Sequence, residues 1–148
     1  MVRAEARTEI ARPVDTVFDF VVDGFFENYP RWSPEVVELE PLDDPALAVG
    51  HRARQVREDR GRRSESIVRV TALARPEHVE FTSEHAPWFR IRFDFAPTGP
   101  AATELVFTFE LLHMELYMRP FARLIRRAVR EGSERTAAEL RSLVEHDR

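Results

Sequence analysis

The pattern that closes the chain constrains its fold more than any other. From about Tyr117 to Glu145, apolar or small residues recur at Tyr117, Phe121, Leu124, Ile125, Ala128, Val129, Gly132, Leu140, Leu143 and Val144. These are the i, i+3, i+4 and i+7 steps of a long helix with one buried face. Arg123, Arg126, Arg127, Arg130 and Arg141 fall mostly off that stripe. A helix this long needs a broad apolar surface to cover. The strand-like segments before it can supply one, and a curved antiparallel sheet wrapped round a long helix often encloses a cavity.

Those segments are read from period-2 alternation and from turn residues. Ala4 to Ala11 reads as an edge strand that ends at Arg12-Pro13. Val14 to Val22 reads as a short helix with Val14, Val17, Phe18 and Val21 on one face, stopped by Asp23-Gly24. Phe25 to Trp32 is a second short helical or irregular segment, because Pro30 and Pro34 work against a regular helix. Strands follow at Val36 to Leu42, His51 to Asp59, Arg62 to Leu73, His78 to Ser83, Trp88 to Phe95 and Thr103 to His113. Arg60-Gly61 marks a hairpin turn. Short connections favour an antiparallel meander. The fold class is therefore α+β, a seven-stranded curved antiparallel sheet gripping one long C-terminal helix, as a single domain over residues 1–148.

The clearest strand signal lies in the last two strands. Phe89, Ile91, Phe93 and Phe95 share one face, and Leu105, Phe107, Phe109 and Leu111 share another. Together they make a mostly Phe wall where the final helix docks. Phe25, Tyr29 and Trp32 are dense aromatics in a connector that must pack on something, and Met118, Phe121 and Ile125 come from the helix. With Phe89, Ile91, Phe93, Phe107 and Phe109, these are the candidate ligand-binding residues. Soft or aromatic side chains suit a pocket that adapts to varied apolar ligands, and they suit ordinary core packing equally.

Composition narrows the chemistry. All 22 basic residues are Arg, so Lys Schiff-base catalysis is excluded. The chain has no Cys, which excludes disulfides, thiolate nucleophiles and Cys-ligated metals and fits a cytoplasmic protein. The five His form no HxH or HxxxH pair, so no metal site and no cofactor are expected. A net charge of −4 gives no global case for nucleic acid. No apolar stretch is long enough to span a bilayer, so no stable membrane insertion is expected, and the charged opening residues do not read as a secretory signal. The one weak acid–base candidate beside Tyr29 is His113, at the end of the last strand. The hairpin of Arg52, Arg54, Arg57, Glu58, Arg62, Arg63, Glu65 and Arg69 is polar on both faces, so its parity stays ambiguous. If Arg52, Arg54 or Arg69 turns inward, it needs a carboxylate partner. The cavity would then have one apolar end and one hydrogen-bonding end.

Several stretches carry a resemblance. They are Ala11-Arg12-Pro13-Val14-Asp15-Thr16-Val17-Phe18-Asp19-Phe20-Val21, then Tyr29-Pro30-Arg31-Trp32-Ser33-Pro34, Val49-Gly50-His51-Arg52, Gly61-Arg62-Arg63, and the Thr103 strand running into the last helix. In that order the chain resembles the START-like, helix-grip (SRPBCC) superfamily, and within it the bacterial polyketide cyclase/dehydrase and lipid transport proteins. The resemblance implies a hydrophobic cavity between sheet and helix that binds lipid-like, polyketide-like or other apolar molecules. It supplies no catalytic residues. Three readings stay open: a binder of a hydrophobic small molecule, a cofactor-independent polyketide cyclase, aromatase or dehydratase using a single acid or base, and a partner-binding protein with a filled core. Monomer and homodimer are both compatible with the sequence.

Overall fold

The computed structural model describes residues 2–146. Strand β1 (Val2–Ile10) leads into helices α1 (Val14–Val21) and α2 (Phe25–Trp32). Strands β2 (Val36–Pro41), β3 (Arg52–Asp59), β4 (Arg62–Ala74), β5 (His78–Ser83), β6 (Phe89–Gly99) and β7 (Ala102–Leu111) follow, and helix α3 (Ala122–His146) closes the chain. The seven strands form one sheet in the order β1-β7-β6-β5-β4-β3-β2, every pair antiparallel. The seven-stranded antiparallel sheet with one long C-terminal helix, expected from the alternation, is the one observed.

β1 and β2 are successive strands that lie on opposite edges of the sheet, and α1 and α2 bridge them. α1 buries Val17, Phe18, Phe20 and Val21. α2 buries Phe25, Tyr29 and Trp32, the i, i+4, i+7 positions of one face. Gly24 joins the two helices at a close approach: a Cβ there would lie 2.4 Å from Asn28 Nδ2 and 3.2 Å from the Phe20 carbonyl oxygen. Asn28 Nδ2 donates to that same carbonyl at 2.9 Å. Of the helical and irregular readings of this segment the helical one holds, with Pro30 inside α2. The lost backbone hydrogen bond is offset by three aromatic side chains fixed in the interior.

Register shifts in β2, β4 and β6 bend the sheet. At the β3–β4 hairpin, Arg60 (φ 51°) and Gly61 (φ 79°) both occupy the left-handed region, the geometry that a two-residue turn between twisted strands requires.

α3 lies chiefly across β1 and β7 and buries Ser133, Ala137, Leu140 and Val144. The helix begins later than its apolar stripe suggests. Leu116–Phe121 forms a 3-10 turn, because Pro120 has no N–H to continue an α-helical ladder. The first part of the stripe is also not buried: Phe121 and Leu124 are exposed.

The other end of α3 is pinned to the start of the fold. Glu145 Oε2 accepts the Ala11 N–H at 2.8 Å, and Arg12 donates to the Glu145 carbonyl oxygen. The Ala11 N–H, then the Arg141 and Arg12 charges, hold the Glu145 carboxyl below the ordinary carboxylate value. A carboxylate whose pKa falls on folding stabilises above its unfolded value and stops doing so as pH drops through its folded value. Glu145→Gln should therefore lower Tm by a few degrees near neutral pH. The two proteins should converge as pH falls through the carboxyl's lowered folded value. Thermal melts across pH read this directly, and a pH-independent gap would discount the charge.

Candidate ligand cavity

A cavity of about 410 Å³ lies between the inner face of the sheet, α2 and the N-terminal half of α3. Its wall is Phe81, Phe89, Ile91, Phe93, Phe107 and Phe109. These rings fix one another. Phe93 and Phe107 have centroids 5.1 Å apart, and Phe89 stacks on Phe109 at 5.9 Å. α2 roofs the space with Phe25, Tyr29 and Trp32. Phe25 is sandwiched between Tyr29 at 5.1 Å and Phe81 at 4.8 Å, and Trp32 meets Phe93 at 6.0 Å. The interior stays open because α3 presents short side chains to it: Ala128, Val129, Gly132, Ser133 and Thr136.

The opposite end is polar. Ser33, Glu35, Gln55, Arg57, Asp59, Ser64 and Arg135 line it. The Tyr29 hydroxyl donates to Gln55 Oε1 at 2.8 Å, and Gln55 Nε2 donates to Ser66 Oγ at 3.0 Å. Gln55 is buried, so this chain of bonds satisfies it where no water needs to. Arg57 Nη1 donates to Ser33 Oγ at 3.1 Å, and its guanidinium lies 3.4 Å from Asp59 and 3.8 Å from Glu35. Arg135 approaches the same Glu35 at 4.0 Å.

Electrostatics assign roles to these groups. Burial raises the Tyr29 pKa, against the pull of the adjacent Arg57 charge. Tyr29 is thus a neutral phenol near pH 7, a hydrogen-bond donor and weak acid rather than a base. Burial works against the Arg57 charge, but Tyr29, Asp59 and Glu35 outweigh it and raise its pKa. Arg57 is therefore a fixed cation at one end of a Phe-lined space.

The strand parity left ambiguous by the sequence is now resolved. Arg52 and Arg54 turn outward, to Asp43 and to Glu38, Glu40 and Glu65, and Arg69, paired with Arg52, is exposed. Arg57 is the arginine of β3 that faces the cavity, with Glu35 and Asp59 rather than Glu58 or Glu65 as its partners.

Of the residues singled out from sequence, Phe25, Tyr29, Trp32, Phe89, Ile91, Phe93, Phe107 and Phe109 line the cavity. Met118, Phe121 and Ile125 do not, because the 3-10 turn and the first turn of α3 lie beyond it. His113 also lies outside, with its side chain 58% exposed and 3.7 Å from Glu115. Gln55, Arg57, Glu35 and the small α3 residues were not singled out for the site. Among the described residues, no group of three or more His, Cys, Asp or Glu could hold a metal ion, and no helix is long and apolar enough to cross a membrane.

The family model described as polyketide cyclase / dehydrase and lipid transport matches residues 1–145. The chain belongs to this family. Among solved structures, a START superfamily protein from Mycobacterium smegmatis is similar at 22% identity and TM-score 0.74, over 97% of each chain. The Zhui aromatase/cyclase from Streptomyces sp. R1128 is similar at 19% identity and TM-score 0.75, over 97% of this chain and 93% of that one. The di-domain ARO/CYC BexL from the BE-7585A biosynthetic pathway is similar at 21% identity and TM-score 0.76, over 98% of this chain and 47% of that one. At these identities the likeness is one of fold. A search of curated proteins found no match.

Proposed function

We propose that this family member binds an apolar, ring-bearing small molecule that carries an oxygen function at one end. The observation behind this reading is the polarity of the cavity: a Phe wall at one end, and Arg57 with the Tyr29 hydroxyl at the other. Apolar pockets with a few convergent polar groups are the usual form of small-molecule sites. An open interior argues against a core filled by side chains. The cytoplasm is the proposed setting, in keeping with a chain that lacks Cys.

A second reading is favoured by the pairing of a neutral phenol with a fixed cation. A carbonyl oxygen held against Arg57 would have its developing negative charge stabilised, while Tyr29 supplies a proton. Glu35 and Asp59 lie in the same lining and are the carboxylates within reach as a base. Family membership and the aromatase/cyclase neighbours support a cyclase or dehydratase of this kind.

The test is a matched pair of probes, 1-naphthoic acid and naphthalene, followed by fluorescence. The acid should bind more tightly. Arg57→Gln should weaken the acid about tenfold or more, the worth of a charge-assisted hydrogen bond, and leave the hydrocarbon unchanged. Equal affinities for both probes in both proteins would overturn the polar-end reading. For the enzyme reading, Tyr29→Phe should cut turnover of a polyketide substrate about a hundredfold or more with little change in KM.

A further inference from the structure

The start of α3 and the turn before it are apolar yet excluded from the core. Leu116, Tyr117, Phe121 and Leu124 are 75%, 73%, 56% and 65% exposed. Single exposed apolar side chains need no explanation, but a cluster within one short segment marks an interaction site. The same segment, residues 116–130, carries five Arg and no acidic residue, in a chain whose net charge is −4. Arg119, Arg123 and Arg127 are exposed and interleave with the apolar positions. The cavity reaches the surface on this side, where Pro87 and Ala128 line it and are exposed, as it does at its polar end, where Asp59, Ser64 and Arg135 are. Trp88, 41% exposed, follows Pro87, and its carbonyl oxygen accepts the Leu112 N–H at 2.7 Å, just before the segment begins.

We propose that residues 116–130 dock the protein on an anionic lipid surface, with the cavity opening toward the bilayer. Two features select lipid over an acidic protein. Apolar and cationic side chains alternate along one segment, the arrangement with which an interfacial helix sinks its apolar groups to the acyl boundary while guanidinium groups reach headgroup phosphates. An acidic protein would neutralise the arginines but would need separate pockets for Leu116, Tyr117, Phe121 and Leu124. The apolar face also runs on into the cavity: Leu124 and Ala128 are one helical turn apart, and Ala128, Val129 and Gly132 are lining residues. A water-insoluble ligand could then pass between bilayer and cavity along a continuous apolar surface. This route, though not the docking itself, rests on the proposed function above. Contact is peripheral, since no described helix can span a bilayer.

Co-sedimentation tests this with vesicles of phosphatidylcholine alone and of phosphatidylcholine mixed with phosphatidylglycerol. The wild-type protein should sediment with the mixed vesicles and release at high salt. Tyr117→Ser with Leu124→Ser, and separately Arg123→Gln with Arg127→Gln, should each lower partitioning about tenfold or more. Both pairs are exposed, and the ion pair lost with Arg127, to Glu131 at 2.9 Å, lies on the surface and is worth little, so thermal melts should match wild type. No sedimentation with mixed vesicles overturns the proposal. So does loss in the arginine pair alone, which would reduce the contact to charge. Retention on immobilised polyglutamate without vesicle binding assigns the surface to an acidic protein and also overturns it. Naphthalene uptake in vesicle-free solution separates the two readings: uptake without docking sinks only the docking, and docking without uptake supports this surface while removing the ligand reading.

Discussion

Gly132→Phe should weaken ligand uptake about ten- to hundredfold while leaving the fold intact. Gly132 faces the cavity from α3, and a Cβ built there meets only Arg135 Nη2, at 3.8 Å. The first carbon of a new side chain therefore enters open space, and a ring beyond it projects toward the Phe wall. Any ligand must then displace or distort that ring. Overpacking of this kind costs about 1–3 kcal/mol. The corresponding loss in affinity is about ten- to hundredfold. Gly132→Ala is the control. It should keep binding and raise stability by about 1 kcal/mol, because Gly is a poor residue in a helix interior. Naphthalene binding and urea denaturation of the three proteins decide the matter. Unchanged binding by Gly132→Phe would mean that ligands sit elsewhere.

The legible and illegible parts of this molecule divide on physical grounds. Phe89, Phe93, Phe107 and Phe109 were readable as a wall because alternation fixes which face a strand buries. Phe25, Tyr29 and Trp32 were readable as packed because dense aromatics in a connector must pack on something, and the family resemblance implied the place of Tyr29 and Trp32 at one end of the cavity. The polar end was harder. Gln55 and Arg57 lie on a strand whose two faces are both polar, so periodicity carries no sign. Register does carry one. The two-residue turn at Arg60-Gly61 sets Ala53 opposite Val68, Gln55 opposite Ser66 and Arg57 opposite Ser64. Ala53 and Val68 are the only apolar pair directly opposed in that ladder, and both are buried, which turns Gln55 and Arg57 inward. The start of α3 misled for a different reason. A helical stripe is the same whether it covers a cavity or faces solvent, so Phe121 and Ile125 read as lining residues although they lie beyond the cavity. The small residues at Ala128, Gly132 and Ser133 were the sign that the stripe crosses an open space.

Phenylalanines of the core and of the cavity should respond oppositely to truncation. Phe18 is fully buried in α1, with its ring edge-on to Phe95 at 5.3 Å and the Arg75 guanidinium 4.8 Å from its centroid. Phe18→Ala leaves a closed void among packed neighbours and should cost about 3–5 kcal/mol. Phe109 is only partly buried, stacks on Phe89 and borders the existing cavity. Part of its ring already lacks protein contacts, so its removal forfeits less dispersion and burial, about 1–2 kcal/mol. Ligand binding reverses the order. Phe109→Ala removes a wall that an aromatic ligand would touch and should weaken naphthalene by about threefold to tenfold. Phe18→Ala, measured where it remains folded, should bind as wild type does. Urea denaturation with and without ligand reads both effects at once, because a ligand that binds only the folded state adds stability according to its affinity. If Phe109→Ala proved as costly to folding as Phe18→Ala, the space beside it would have to be occupied in the free protein, and the cavity could not be the open site that the rest of the geometry requires.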